Sequence, residues 1–482
     1  MKSTIGVYGL GVMGRNISLN LEDHGQRVSV YNRKVEQEKH IVSSFINEYS
    51  SKGAFFGAES VNEFINSIDQ PRVILLMVKA GQPVDDVIQE LLPLLDEGDI
   101  LIDGGNSHFE DTERRSALLS SKKLHFVGMG VSGGEEGARF GPSLMPGSDP
   151  EIWPFLKNIF EPIAATSFNG SPCCALIGYG GSGHFVKMVH NGIEYADMQL
   201  IAEAYQIMKD GLNMTIDEIT AQFNKWNKTL LNSYLIEITA EILSVKDKDG
   251  QPLVNKILDS AGQKGTGKWT AKSALTFGIP LPGITSAVYS RFFSSFTDLR
   301  HTSAKQLSGP SANKKLHKNE LIPLLEEALL ASRIICYAEG FFMITETNRR
   351  KKWGIDPATV ARIWQGGCII RSKLLSTIEE SYSKEAQIRH LLTEPDISNL
   401  LSRLQNGWRR CISKAALEGI PIPAMMSALS QYDSIRTARL SANIIQAQRD
   451  YFGAHTYERV DAPRGEFFHT NWNNNQSAQR KS

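Results

Sequence analysis

Cysteine is scarce in this chain. The five residues Cys173, Cys174, Cys336, Cys368 and Cys411 are odd in number, scattered and without C-x-x-C spacing. That argues against a disulfide framework and a cysteine zinc site, and fits a reducing compartment. An excess of either charge is also missing, because 52 Lys and Arg face 52 Asp and Glu. A dedicated nucleic-acid binder usually carries a basic excess or stripe, so nucleic acid is not an expected partner. No uninterrupted apolar run approaches the ~18 residues of a membrane span; Val73–Val78 is the longest compact stretch and reads as a strand. The N-terminus, Met1-Lys2-Ser3-Thr4, enters strand-like sequence without a signal-peptide core. A soluble, cytoplasmic protein with no membrane partner is expected. H-E-x-x-H, G-x-S-x-G and acidic metal-ligand clusters are absent, so no metal is expected.

What is present is enough chain for two or three domains: 482 residues against about 150 per domain. From Thr4 to about residue 175, short β-branched runs alternate with helical patterns: Ile5–Tyr8, Arg27–Tyr31, Val73–Val78, Ile100–Asp103 and His125–Gly128. This rhythm predicts an α/β fold with a Rossmann-like, doubly wound parallel sheet. Beyond Gly180, long helical patterns such as His184–Asp210 and Asn319–Thr347 predict a large all-helical domain. The expected division is residues 1–179 for the cofactor domain, 180–440 for the helical substrate and dimerisation domain, and 441–482 for a C-terminal tail. Asn471–Ser482 is polar and shows no core pattern. A weak echo (Ala202-Glu203 with Ala338-Glu339, Ser233-x-Leu235 with Ser372-x-Leu374) repeats after about 136 to 139 residues and raises the question of duplication.

Gly9-Leu10-Gly11-Val12-Met13-Gly14 follows a strand and opens a helical pattern, the context in which G-x-G-x-x-G signals a dinucleotide. An NAD site places Asp or Glu about 20 residues later, on the ribose hydroxyls. Here the strand ends in Asn32-Arg33-Lys34, with no carboxylate to repel a 2′-phosphate and an Arg fork to bind one, so NADP is expected. Lys187, His190, Asn191, Glu194 and Tyr195 share one face of a helix whose intervening Val186, Met188, Val189 and Ile193 are apolar. Buried polar stripes are costly unless satisfied, so ligand binding and catalysis explain them better than a solvated face. A desolvated Lys can act as general base and a Glu as general acid. Gly262–Lys268 nearly fits a P-loop, but Trp269 replaces the metal-binding Ser or Thr and no strand pattern precedes it. Lys264 and Thr266 remain candidates for a simpler phosphate. Asp103–Ser107 and Val131–Gly134 follow strands, where ligands of such sheets sit, and Ser132 with Gly133 and Gly134 suggests an anion nest.

With these motifs in order, and with Gly130–Gly137 and the run Gln446–Tyr457, the chain resembles the decarboxylating 6-phosphogluconate dehydrogenase family over essentially its full length. The resemblance implies oxidation of 6-phosphogluconate at C3 by NADP and loss of CO2 to give ribulose 5-phosphate, a step of the oxidative pentose phosphate pathway. It implies Lys187 as base and Glu194 as the acid that protonates C1 of the enediol. Asn106, Ser132, Gly133, Gly134, His190 and Asn191 match residues that hold the sugar acid. Tyr195, Lys264, Thr266 and Arg291 match phosphate contacts, joined by Arg449 and His455 from the other subunit of a homodimer. The candidate cofactor set is Gly9 to Gly14, Asn32, Arg33, Lys34, Val78, Lys79, Ala80 and Asn106. The chain departs from the family at Gly11, often Ala, and at Met129, often Ser or Thr. A β-hydroxyacid dehydrogenase acting on another small hydroxy acid is the same-class alternative, and a P-loop-like nucleotide-binding protein the remote one.

Overall fold

Seven short strands form one sheet: β1 (Ile5–Tyr8), β2 (Val28–Tyr31), β3 (Phe55–Gly57), β4 (Val73–Leu76), β5 (Ile100–Asp103), β6 (His125–Ser132) and β7 (Ser143–Gly147). In the computed structural model, which describes residues 2–35, 37–49, 51, 53–310, 316–384, 388–474 and 479–481, their order is β3-β2-β1-β4-β5-β6-β7. β1 to β6 run parallel, and β7 pairs antiparallel with β6. Every residue of β1, β2, β4 and β5 is buried. The reason is helical cover on both faces, which favours continuous apolar runs over alternation. Side chains still alternate in direction: Val73 and Leu75 enter one core cluster, Ile74 and Leu76 the other.

Two strands escape the sequence pattern. β3 is a three-residue strand at the sheet's edge and only half-buried, too short to stand out. β7 contains Pro146 and Gly147, residues that speak against a strand unless it lies at an edge, as this one does. β6 also runs on to Ser132, so Val131 and Ser132 belong to a strand end rather than a loop.

The helix Ser182–Gln206, here the Lys187 helix, lies on β6 and β7, the expected break at 179/180 falling just before it. Glycines permit this approach. A Cβ on Gly183 would strike the carbonyl oxygens of Met145 and Gly128, and one on Gly130 would strike Lys187 Cβ. The longest helix, Lys318–Lys351, is long and apolar enough by composition to cross a membrane, but most of its apolar stretch is buried within the protein. It is a core helix, and a longer apolar segment than the Val73–Val78 stretch singled out from sequence.

The internal echo corresponds to equivalent contacts. Glu203 accepts the N–H groups of Ala424 (2.8 Å) and Met425 (2.9 Å) at the start of the helix Pro423–Arg436. Glu339 does the same for Gly283 (2.9 Å) and Ile284 (3.0 Å) at the start of Pro282–Ser294. Each carboxylate satisfies helix-terminal N–H groups that have no intrahelical partner. The echo positions Ser233 and Ser372 pair with each other in an antiparallel bridge.

The chain divides into two compact units, 1–428 and 429–482. The second contains the helix Ala442–Gly453 and an antiparallel sheet of β8 (Tyr457–Glu458), β9 (Phe467–His469) and β10 (Gln479–Lys481). The span Asn471–Ser482, read as lacking a core pattern, therefore supplies a strand; its residues 475–478 and 482 lie outside the described residues. The unit is organised by Asp450, which accepts from Thr456 N, Thr470 N and Trp472 Nε1 and pairs with His469 Nδ1 at 2.9 Å.

Candidate active site

The fingerprint loop leaves β1 through Gly9, whose φ of +104° disfavours any side chain and whose absent Cβ would meet Met77 O. Gly14 is equally committed, since a Cβ there would strike Gly9 O. Gly11 is different: it has φ −65° and open space around it, so Ala fits as well. The helix Val12–Asp23 that follows has no side-chain cap and no acidic residue in its first turn. Its N-terminal N–H groups and dipole suit a pyrophosphate. The loop opens beside β1 and β4, where the strand order reverses.

Asn32 is buried and pins this loop, its Oδ1 accepting Leu10 N–H at 2.9 Å. One expectation is corrected here. The segment after β2 folds back so that Glu38 meets Arg33 through two bonds, from Nε at 3.1 Å and from an η-nitrogen at 2.9 Å. Asn32 Nδ2 donates to the same carboxylate at 2.9 Å. A carboxylate therefore does face the expected 2′-phosphate position. It was missed because it comes from the returning loop and not from the strand end. Lys34 pairs with Glu59 at 2.7 Å.

A cleft of about 1060 Å³ adjoins this corner, sharing Met77, Val78 and Lys79 with it. It gathers Met13, Ala80, Asn106, Asn191, Glu194, Tyr195, Lys264, Thr266 and Arg291 from the sequence candidates. Val131, Gln263 and Trp269 complete parts of its wall. Trp269, the residue that breaks the P-loop pattern, has its ring edge-to-face with His108 at 5.3 Å. No sheet strand leads into that motif. A 3-10 turn, Leu253–Lys256, and irregular chain precede the helix Thr266–Phe277, which removes the P-loop alternative.

Lys187, His190 and Ser132 are buried and are not among the residues that line the cleft, but Ser132 and His190 directly adjoin the lining residues Val131 and Asn191 in the chain. Lys187 Nζ donates to Ser132 Oγ at 3.0 Å, Ser132 Oγ is 3.3 Å from His190 Nε2, and His190 Nδ1 is 3.0 Å from Asn191 Oδ1. Glu194, one turn along, approaches His190 to 3.9 Å and keeps part of its side chain open to the cleft. Burial lowers the Lys187 pKa below the ordinary lysine range, partly opposed by the charge of Glu194. Burial raises the Glu194 carboxyl, against the pull of Lys187 and Arg291. The His190 ring is held well below the usual value by burial and by Lys187. A Lys inclined to be neutral beside a Glu inclined to be protonated is a base and acid pair.

At the other end, the Arg291 guanidinium lies 3.6 Å from the centroid of the Tyr195 ring. Gly267 makes room for that ring. Gly133 and Gly134 both have positive φ and start the helix Gly134–Phe140 at the end of β6, a backbone suited to an anion nest. Asn106 is placed by its neighbour Asp103, which is fully buried and accepts from Gly105 N at 3.0 Å and Ser107 Oγ at 2.6 Å. Asp103 is thus a brace for the loop. Arg449 and His455 belong to the second unit, both exposed there. The turn that carries His455 is tied by Asp450 to Thr456 N at 3.0 Å.

The comparisons with known proteins agree with one another. Sequence models of the NAD binding domain and of the C-terminal domain of 6-phosphogluconate dehydrogenase match residues 4–178 and 183–472. The decarboxylating 6-phosphogluconate dehydrogenase of Aggregatibacter actinomycetemcomitans is 50% identical over 473 residues, covering 98% of this chain and 97% of its own. The Homo sapiens enzyme of the same name is 49% identical over 472 residues, with 98% and 97% covered. Among solved structures, Plasmodium falciparum 6-phosphogluconate dehydrogenase, described with its cofactor NADP+ and its substrate 6-phosphogluconate, superposes with a TM-score of 0.92 at 40% identity, covering 97% of this chain and 100% of that one. Matched from the fingerprint loop to the C-terminal unit, the chain belongs to the decarboxylating 6-phosphogluconate dehydrogenase family.

Proposed function

We propose that Lys187 and Glu194 are the base and acid of an oxidative decarboxylation. The activity is conversion of 6-phosphogluconate to ribulose 5-phosphate and CO2 with NADP. The observation that carries the assignment is the buried Lys187, held 3.0 Å from Ser132 and about two helical turns before Glu194, which lines a cleft that shares Met77, Val78 and Lys79 with the nucleotide corner. The residues present fit NADP: Gly9 and Gly14 leave the backbone bare where side chains would collide, and Arg33 stands at the 2′-phosphate position. When bound, NADP supplies the acceptor for the hydrogen leaving C3.

Lys187, whose pKa burial lowers, takes the C3 hydroxyl proton in its neutral form. The resulting β-keto acid loses its carboxylate as CO2 while protonated Lys187 returns the proton to the carbonyl oxygen, giving the enediol. Glu194 then protonates C1, and Lys187 removes the hydroxyl proton to leave the ketone. Asn106, Ser132, Gly133, Gly134, His190 and Asn191 hold the sugar acid. Tyr195, Lys264, Thr266 and Arg291 hold its phosphate. The hydroxyacid-dehydrogenase alternative is set aside because the family match runs through residue 472.

The working form is a homodimer in which Arg449 and His455 reach the partner's phosphate site. Leu275 (79% exposed), Tyr289 (64%) and Phe293 (55%) support this, as large apolar side chains left uncovered on a single chain. Cytoplasmic placement is supported by five buried, unpaired thiols. The test is direct: purified protein with 6-phosphogluconate should reduce NADP and release CO2 without added metal. Absence of both signals would sink the assignment.

A further inference from the structure

We propose that Glu38 is a coenzyme-selectivity residue, a carboxylate seated on the 2′-phosphate-binding fork of Arg33 that narrows the preference for NADP over NAD. The proposal rests on NADP being the coenzyme and concerns how strongly it is preferred. Arg33 owes its value at this corner to a planar fork that can take two oxygens of a phosphate. In the structure that fork already holds Glu38 through Nε and an η-nitrogen, at 3.1 and 2.9 Å. Asn32 Nδ2 adds a third bond to the same carboxylate at 2.9 Å. Lys34, the other cation at the end of β2, is engaged by Glu59 at 2.7 Å. Around the corner as a whole, Arg33, Lys34 and Lys79 are balanced by Glu38, Asp86 and Glu90.

A 2′-phosphate arriving here must displace the Glu38 carboxylate or lie beside it. The first exchanges one set of charge-assisted bonds for another, and the second sets a dianion against a carboxylate. Either way the gain from Arg33 shrinks. A ribose 2′-hydroxyl meets neither difficulty. It can donate to a free lone pair of Glu38 and leave the pair with Arg33 intact, the role a carboxylate after the second strand plays in NAD sites. The same side chain therefore works against NADP and for NAD.

The test uses the full-length protein and fragments that report the corner alone: adenosine 2′,5′-bisphosphate, which carries the 2′-phosphate, and AMP, which carries the hydroxyl. Affinities are measured by calorimetry for the wild type, Glu38→Gln and Glu38→Ala. Removing one negative charge beside a dianion should tighten the bisphosphate by about fivefold to tenfold. AMP should be unchanged with Gln, which can still accept from a hydroxyl, and weaker with Ala. The ratio of kcat/KM for NADP to that for NAD should rise in both variants while KM for 6-phosphogluconate stays put. Equal shifts for the two fragments, no shift, or weaker bisphosphate binding would overturn the proposal, the last by showing that Glu38 holds Arg33 in its productive pose. A wild type that binds no bisphosphate would overturn the NADP assignment as well, which separates that failure from this one.

Discussion

At the scale of single residues, protonation state decides what the cleft can do. Lys187→Met removes the buried amine that donates to Ser132, and kcat should fall about 10²- to 10⁴-fold with NADP affinity retained in a binding titration. The pH profile carries a more discriminating test. The base must be neutral, so activity rises as pH climbs through the Lys187 pKa, which burial sets below the usual 10.5. The charge of Glu194 opposes that shift. In Glu194→Gln the residual activity should therefore keep its acid limb but show it displaced to lower pH. A limb displaced upward would show that Lys187 is not the group titrating. Lys187, His190, Asn191, Glu194 and Tyr195 were legible as a set because helical spacing alone puts them on one face. The part of Asn32 was not legible: its Oδ1 is spent on Leu10 N–H, a bond between residues brought together only by pairing of β1 with β2.

At the scale of elements, two buried carboxylates hold helix starts. Glu339 fixes the start of the helix that carries Arg291, and Glu203 fixes the start of Pro423–Arg436. Glu→Gln at either position puts an amide donor against a backbone N–H and should cost about 1–3 kcal/mol of stability by denaturant unfolding. Because Arg291 rides on the first of these helices, Glu339→Gln should raise KM for 6-phosphogluconate more than it lowers kcat. Burial pushes Glu339 up to about 8 and Glu203 up to about 7. In the unfolded chain both ionise near 4.5, so the stability attached to their protonated forms is intact below that pH. It is lost as pH rises to about 7 for Glu203 and about 8 for Glu339. Unfolding free energy should decline over that window, and less steeply in Glu339→Gln. The sequence showed the repeated Ala-Glu pairs, but only packing reveals that both do the same job.

At the scale of the whole molecule, the C-terminal unit is what the family resemblance assigns to a neighbouring chain. Deleting residues after Leu440 should abolish activity, and full retention would refute a shared site. A mixed dimer gives the sharper answer. Lys187→Met and Arg449→Ala chains are each expected to be impaired alone, yet a heterodimer of the two would contain one site with Lys187 from one chain and Arg449 from the other. Mixing after mild dissociation should restore activity; no recovery would place Arg449 in its own chain's site. Asp450→Ala should loosen the unit itself, since Asp450 joins its helix to β9 and to Trp472. Although burial works against it, donors from His469, Thr470 and Trp472 hold the Asp450 carboxyl below its ordinary range.

Periodicity and turn chemistry are local, and whatever depends on them was set by the sequence alone: the parallel sheet, the fingerprint loop, the polar face of the Lys187 helix and the succession of a sheet and helices. Contacts between distant segments are not local, and the tertiary structure decided those. Pro and Gly disguised β7 until β6 lay beside it, Asp103 became a brace once its loop closed, and Glu38 turned from an ordinary loop residue into the partner of Arg33. The balance of 52 charges against 52 states only a total. Folding determines which charges meet, because an ion pair depends on a separation of a few ångströms that chain order does not encode.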